Sequence, residues 1–146
     1  MAGIFFDTTV YIRAFRTGDP GIFSERSIAR FGAGPSVPVW MNAVVSEELY
    51  AGASDAKARK LLAKMEKDFE KVKRLIVPLQ SDWANAGQLL NKLAKRYGFE
   101  HIGRSRLVND VLIAMTAART GTMVLTENAR DFSRIEEFRK FKWKVG

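Results

Sequence analysis

Short, wholly apolar runs alternate along this chain with longer segments whose apolar residues recur every three or four positions. The short runs are Ile4-Phe5-Phe6, Val37-Pro38-Val39-Trp40, Leu75-Ile76-Val77-Pro78-Leu79 and, after Thr122, Met123-Val124-Leu125, while Phe141-Lys142-Trp143-Lys144-Val145 alternates with lysine and is a candidate last strand. Runs without polar alternation read as strands covered on both faces. Between them the periodicity predicts helices over residues 10–15, 42–53, 57–74, 82–97 and 106–119, and another reaching Phe31 after a Gly18-Asp19-Pro20-Gly21 turn. In the segment 57–74, Leu61, Leu62, Met65, Phe69 and Val72 form one stripe among lysines and acids. Gly98 and Gly121 stop the two later helices. Short buried strands alternating with helices imply an α/β fold of three layers, with a central parallel sheet of about four to five strands flanked by helices. No linker divides the 146 residues, so a single domain, 1–146, is expected.

Four acids break this pattern. Asp7 closes the first apolar run and precedes Thr8-Thr9. Glu48 lies in the middle of a helical face made of Met41, Val44, Val45, Leu49 and Gly52, whereas Glu47 falls off that face. Asp110 is the one acid in a helix apolar almost all round. Asp131 follows a strand in Thr126-Glu127-Asn128-Ala129-Arg130-Asp131-Phe132. A carboxylate aimed at a core is expensive unless it is paired or binds a metal. In parallel sheets, sites form outside the carboxyl ends of the strands, where Asp7 and Asp131 stand. Four such groups gathered by the fold make an oxygen-donor site for a hard divalent cation, the equipment of metal-dependent phosphoryl transfer. Each acid taken singly has a plainer role: Asp7 as a helix cap, Asp131 as a turn residue, Glu48 as the partner of a buried arginine, and Asp110 likewise, with Arg104, Arg106 and Arg119 near it in sequence.

Charge adds the partner. With 24 Lys+Arg against 16 Asp+Glu the formal charge is +8, which favours polyanions, nucleic acid first. A basic protein with an acidic pocket suggests a polyanionic substrate and a cation-filled site. Arg13, Arg16, Arg104 and Arg130 are candidate phosphate contacts. There is no cysteine, so disulfides and thiolate metal sites are excluded. No apolar stretch has the length of a membrane span and the opening residues do not form a signal-peptide pattern, so a soluble, cytoplasmic protein is expected. His101 reads as a surface residue, and Trp40, Trp83 and Trp143 as core or interface. The lysine-rich face of 57–73 reads as solvated, and Gly32-Ala33-Gly34 lacks the lysine and spacing of a phosphate loop.

Four motifs in order carry a resemblance. Asp7-Thr8-Thr9-Val10 after an apolar strand, Glu48-Leu49-Tyr50-Ala51-Gly52 in a helix, Asn109-Asp110-Val111-Leu112-Ile113-Ala114 in another, and Thr126 to Phe132 after a strand together resemble the PIN domain, specifically the VapC-type toxin ribonucleases of toxin–antitoxin modules. Many PIN domains place the fourth acid where this chain has Asn128; toxin-like members commonly have asparagine there and an aspartate three residues on, as Asp131 is here.

The resemblance implies a PIN-like, Rossmann-like fold and Mg²⁺- or Mn²⁺-dependent endonucleolytic cleavage of RNA. Asp7, Glu48, Asp110 and Asp131 would be the catalytic and metal-binding acids, with Thr8, Thr126 and Asn128 orienting waters or carboxylates around them. Without a strong histidine candidate, base catalysis falls to metal-activated water or a carboxylate. The resemblance further implies a homodimer and a cognate antitoxin lying in a groove, for which Tyr11, Phe15, Ile22, Phe23 and Phe31 of the first two helices supply apolar surface. Three rivals are weighed against it: a phosphatase with an aspartyl nucleophile, which leaves Glu48 unexplained and has Thr9 where a second acid is wanted; a PIN nuclease of RNA processing that is not a toxin; and a non-catalytic RNA- or partner-binding domain of the same fold.

Overall fold

A computed structural model of the chain describes residues 3–17, 37–101 and 105–146. Five strands, β1 (Ile4–Phe6), β2 (Val39–Asn42), β3 (Leu75–Ile76), β4 (Met123–Thr126) and β5 (Lys142–Val145), form one sheet in the order β3-β2-β1-β4-β5. Every pairing is parallel. Among the described residues six helices flank it: α1 (Thr8–Thr17), α2 (Ala43–Gly52), α3 (Ala56–Lys71), α4 (Gln80–Tyr97), α5 (Ser105–Thr120) and α6 (Ala129–Glu136). This is the layered α/β architecture that the apolar runs predict.

The central strand explains the absence of alternation. Ile4, Phe5 and Phe6 are all buried because both faces of β1 are covered. Gly3, just before it, is forced by crowding: a Cβ there would collide with the Trp40 indole. The chain builds β1, β2 and β3 outward in one direction, then returns to lay β4 on the other side of β1. The crevice at the carboxyl ends of β1 and β4 is therefore a topological switch point, where such sheets place their sites.

The structure moves several boundaries. β2 starts at Val39 rather than Val37, because Pro38 has no N–H to give to the ladder, and Asn42 ends the strand by capping α2. β3 shrinks to two residues at the sheet edge. Beyond it the Leu79 N–H donates to Asp82 Oδ2 at 2.8 Å and opens α4 two residues earlier than periodicity suggests. α3 stops at Lys71, since Lys73 adopts a positive φ of 59° and swings the chain into β3. Helix α6 stands where the sequence suggested a turn around Asp131: Asn128 Oδ1 accepts from the Asp131 N–H, and Phe132 and Ile135 bury one face. The predicted turn at 18–21 and the helix reaching Phe31 lie outside the described residues.

Asn42 fixes the two helices that matter most. Fully buried, it caps α2 by accepting from the Val44 N–H at 3.0 Å, and its Nδ2 donates to Thr116 Oγ1 on α5 at 2.8 Å. Thr116 in turn donates to the Ile113 carbonyl at 2.6 Å. Asn42→Ala removes a cap and leaves buried groups unsatisfied, so it should cost about 2–3 kcal/mol in denaturant unfolding. A loss below about 0.5 kcal/mol, the range of an ordinary surface change, would show that α2 and α5 are held by packing alone.

Candidate functional site

The register of β1 against β4 assembles the first part of the site. The Asp7 N–H extends the ladder to the Leu125 carbonyl at 2.8 Å, so the carboxylate emerges between the two strand ends. Asp7 is 1% exposed and receives three donors: the Thr8 N–H at 2.7 Å, Thr126 Oγ1 at 2.8 Å and Thr9 Oγ1 at 3.2 Å. Thr126 itself accepts from the Asn128 N–H at 3.0 Å, which fixes its hydroxyl to donate towards Asp7. Glu48 arrives from α2, half-buried, and accepts from Thr8 Oγ1 at 2.6 Å and from the Asn109 side chain.

Asn128 assembles the second part. Its Nδ2 donates to Asp110 Oδ2 at 3.1 Å and to Asp131 Oδ2 at 2.9 Å, tying α5 to the first turn of α6. Its Oδ1 accepts from the Asp131 N–H, so one amide caps a helix and bridges two acids. Asp110 is 2% exposed and Asp131 half-buried. Among the described residues Asp110 has no arginine partner: Arg119 is held by Asp82 at 2.9 Å, and Arg106 forms no ion pair. Arg104 lies outside the described residues.

These groups share one electrostatic environment. Burial pushes the Asp110 carboxyl up to about 9, aided by the negative charges of Asp7, Glu48 and Asp131. Burial also raises Asp7, against hydrogen bonds from Thr126, Thr8 and Thr9 and the positive charge of Arg106. Glu48 is raised by burial and by the charge of Asp7, and lowered by its bonds to Thr8 and Asn109 and by Arg106. The structure thus brings together Asp7, Thr8, Glu48, Asp110, Thr126, Asn128 and Asp131. In their observed rotamers the carboxylates turn to hydroxyl and amide donors, and among the described residues no three acids close on a single ion position. Three residues act here beyond what the sequence assigns them: Thr9 and Asn109 are given no role there, and Arg106 only a possible ion pair with Asp110. Thr9 bonds Asp7, Asn109 bonds Glu48, and Arg106 acts on three of the acids. The four-residue spacing from Arg106 to Asp110 is the signal that places that arginine on the same helical face. Of the arginines expected to meet phosphate, Arg13 is paired with Glu127 and Arg130 stands 3.6 Å from Asp131.

An apolar groove of about 440 Å³ runs from Glu48 between α1, α2 and α3, walled by Ile12, Phe15, Leu49, Gly52, Leu61 and Leu62. Phe15 and Leu61 are 40% and 47% exposed. Tyr11, expected in such a groove, is instead buried in the core with its ring edge against Phe6. Ile22, Phe23 and Phe31 lie outside the described residues.

The family model of the PIN domain matches residues 4–137. The fold is similar to that of VapBC from Salmonella typhimurium bound to DNA, with a TM-score of 0.68 and 20% identity over 99% of this chain and 98% of that one. VapBC2 from Rickettsia felis, bound to a fragment of its promoter DNA, gives 0.67 and 19% identity over 100% and 99% of the two chains. VapBC-1 from nontypeable Haemophilus influenzae gives 0.66 and 21% over 99% and 98%. No curated protein sequence matches the chain. The family match runs from the first residue of β1 past the end of α6 and so includes every element that carries an acid of the pocket: the chain belongs to the PIN domain family.

Proposed function

We propose that this PIN domain is a VapC-type toxin, an Mg²⁺- or Mn²⁺-dependent endoribonuclease whose acids are Asp7, Glu48, Asp110 and Asp131. PIN domains are generally nucleases. The observation that carries the reading for this chain is the convergence of the four acids at the switch point, with Asp110 held near 9 by burial and by the charge of the other three. A purely structural acid would be paired or capped; Asp110 has one amide donor and three acidic neighbours.

The residues fit a hard dication. All donors are oxygen, and positive charge is what would relieve the repulsion among them. Asp7, Glu48 and Asp110, with Asp131 beside them, would hold it, after side-chain rotation from the observed arrangement. When bound, such an ion supplies Lewis acidity and water activation at neutral pH. The chain's own contribution is orientation. Thr8, Thr9 and Thr126 hold the Asp7 carboxylate from three directions, Thr8 and Asn109 aim Glu48, and Asn128 sets Asp110 and Asp131 at a fixed separation. At neutral pH a carboxyl near 9 keeps its proton, so Asp110 limits the charge of the empty pocket. The formal charge of +8 supports a polyanionic substrate.

The groove supports the antitoxin partner. It is apolar, open beside Phe15 and Leu61, and ends at Glu48, so a segment lying in it can present an arginine or lysine to the acids. Self-association as a homodimer belongs to the same reading, supported by the exposed Val77, Leu79 and Trp83 between β3 and the start of α4.

Asp7→Asn and Asp110→Asn should each abolish Mn²⁺-dependent RNA cleavage and any growth arrest on expression, while the proteins stay folded. Substantial cleavage by purified Asp110→Asn protein in EDTA would overturn the mechanism, and an active nuclease that never slows growth would favour a role in RNA processing over toxicity. Leu61→Glu should prevent co-purification with the protein encoded beside it and leave RNA cleavage by the isolated chain within about twofold. Retained co-purification would remove the groove from the account.

A further inference from the structure

Arg106 stands in the first turn of α5, one helical turn before Asp110. It is exposed, yet its charge reaches three acids of the pocket, lowering Asp7, Glu48 and Asp110 alike. Among the described residues it is locked to none of them, whereas Arg13, Arg119 and Arg130 are each held against a carboxylate. A structural counter-ion would be buried and paired. Arg106 lies four residues before Asp110, on the same helical face, exposed and, among the described residues, in no ion pair.

The pocket creates a need for such a group. A phosphate approaching four acids is repelled, and the ions that offset them are shared among those same acids. A guanidinium presents paired N–H groups matched to two oxygens of one phosphate. The backbone N–H groups of the first turn of α5 add partial positive charge on the same side. We propose that Arg106 is the phosphate-binding residue of this pocket, gripping the non-bridging oxygens of an RNA phosphate as the strand enters. The assignment rests on the reading of the pocket as a nuclease site, and it gives the acids a companion that recruits substrate without taking part in holding the ion.

The test compares wild type, Arg106→Gln and Arg106→Lys on one RNA oligonucleotide at saturating Mn²⁺, alongside the Mn²⁺ affinity of each protein measured by calorimetry. Arg106→Gln should lose roughly 10–100-fold in kcat/KM, mostly through KM. Arg106→Lys should recover part of that loss, because it restores charge without the fork. Mn²⁺ affinity should be unchanged or tighter, since a nearby cation has been removed. Wild-type kcat/KM in Arg106→Gln overturns the assignment, as does a loss matched by weakened Mn²⁺ binding or one confined to kcat. A wild-type protein that cuts no RNA overturns the parent reading and this one with it, so the two failures are told apart by the wild-type lane.

Discussion

Burial of like charge at the ends of β1 and β4 is the constraint on which the rest of this molecule depends. Folding carries Asp7 and Asp110 out of water to 1% and 2% exposure, and sets Glu48 and Asp131 beside them. Each carboxylate loses hydration and gains repulsion, which is costly. Much of the surrounding hydrogen bonding offsets that cost locally. Three donors serve Asp7, a threonine and an asparagine serve Glu48, and one asparagine amide serves both Asp110 and Asp131. The sheet makes the arrangement rigid, because Asp7 is fixed through its own N–H to β4 and α2 is tied to α5 through Asn42 and Thr116.

Most of the fold could be read from the chain because its signals are local. Continuous apolar runs mark strands covered on both faces, and the periodic stripes mark helices, so the layered α/β plan follows from spacing alone. What could not be read is set by distant contacts or by single polar groups. β3 is short because, among the described residues, it pairs with β2 alone and because Asp82 claims the Leu79 N–H. α6 was hidden because its first turn looks like a polar loop until the Asn128 cap is recognised. Tyr11 looked like groove surface and is core, since α1 turns that position towards Phe6.

The four acids were legible for the opposite reason: they violate the local pattern. A carboxylate in an apolar stripe is conspicuous, and helix geometry aims it inward without any knowledge of its partners. The groups that serve the acids were less visible. Thr9 and Asn109 lie where polar residues are unremarkable, Arg106 is visible only as a possible ion partner of Asp110, and the approach of α1, α2 and α5 around one point gives all three a role. Asn128 is visible as a departure from the pattern of related chains, and in the structure its amide donates to both Asp110 and Asp131.

The same constraint gives stability a definite pH dependence. Asp110 rises from an ordinary value of 3.8 to about 9 on folding, so the folded protein binds a proton that the unfolded chain has released anywhere between those values. This contribution to stability is fully present below about pH 4 and is lost as pH rises towards 9, with a slope of at most about 1.4 kcal/mol per pH unit from that one group. Asp7 and Glu48, also raised by burial, add to the same fall, so an Asp110→Asn control isolates the share of that one group. The most direct measurement is denaturant unfolding from pH 5 to pH 8 in EDTA and again in excess Mg²⁺ or Mn²⁺. Stability should fall with pH in EDTA, Asp110→Asn should flatten that fall, and the recovery on adding the dication should grow with pH. A profile that is flat in EDTA, or that no divalent ion alters, would contradict the claim that this fold holds buried acids together in order to bind one.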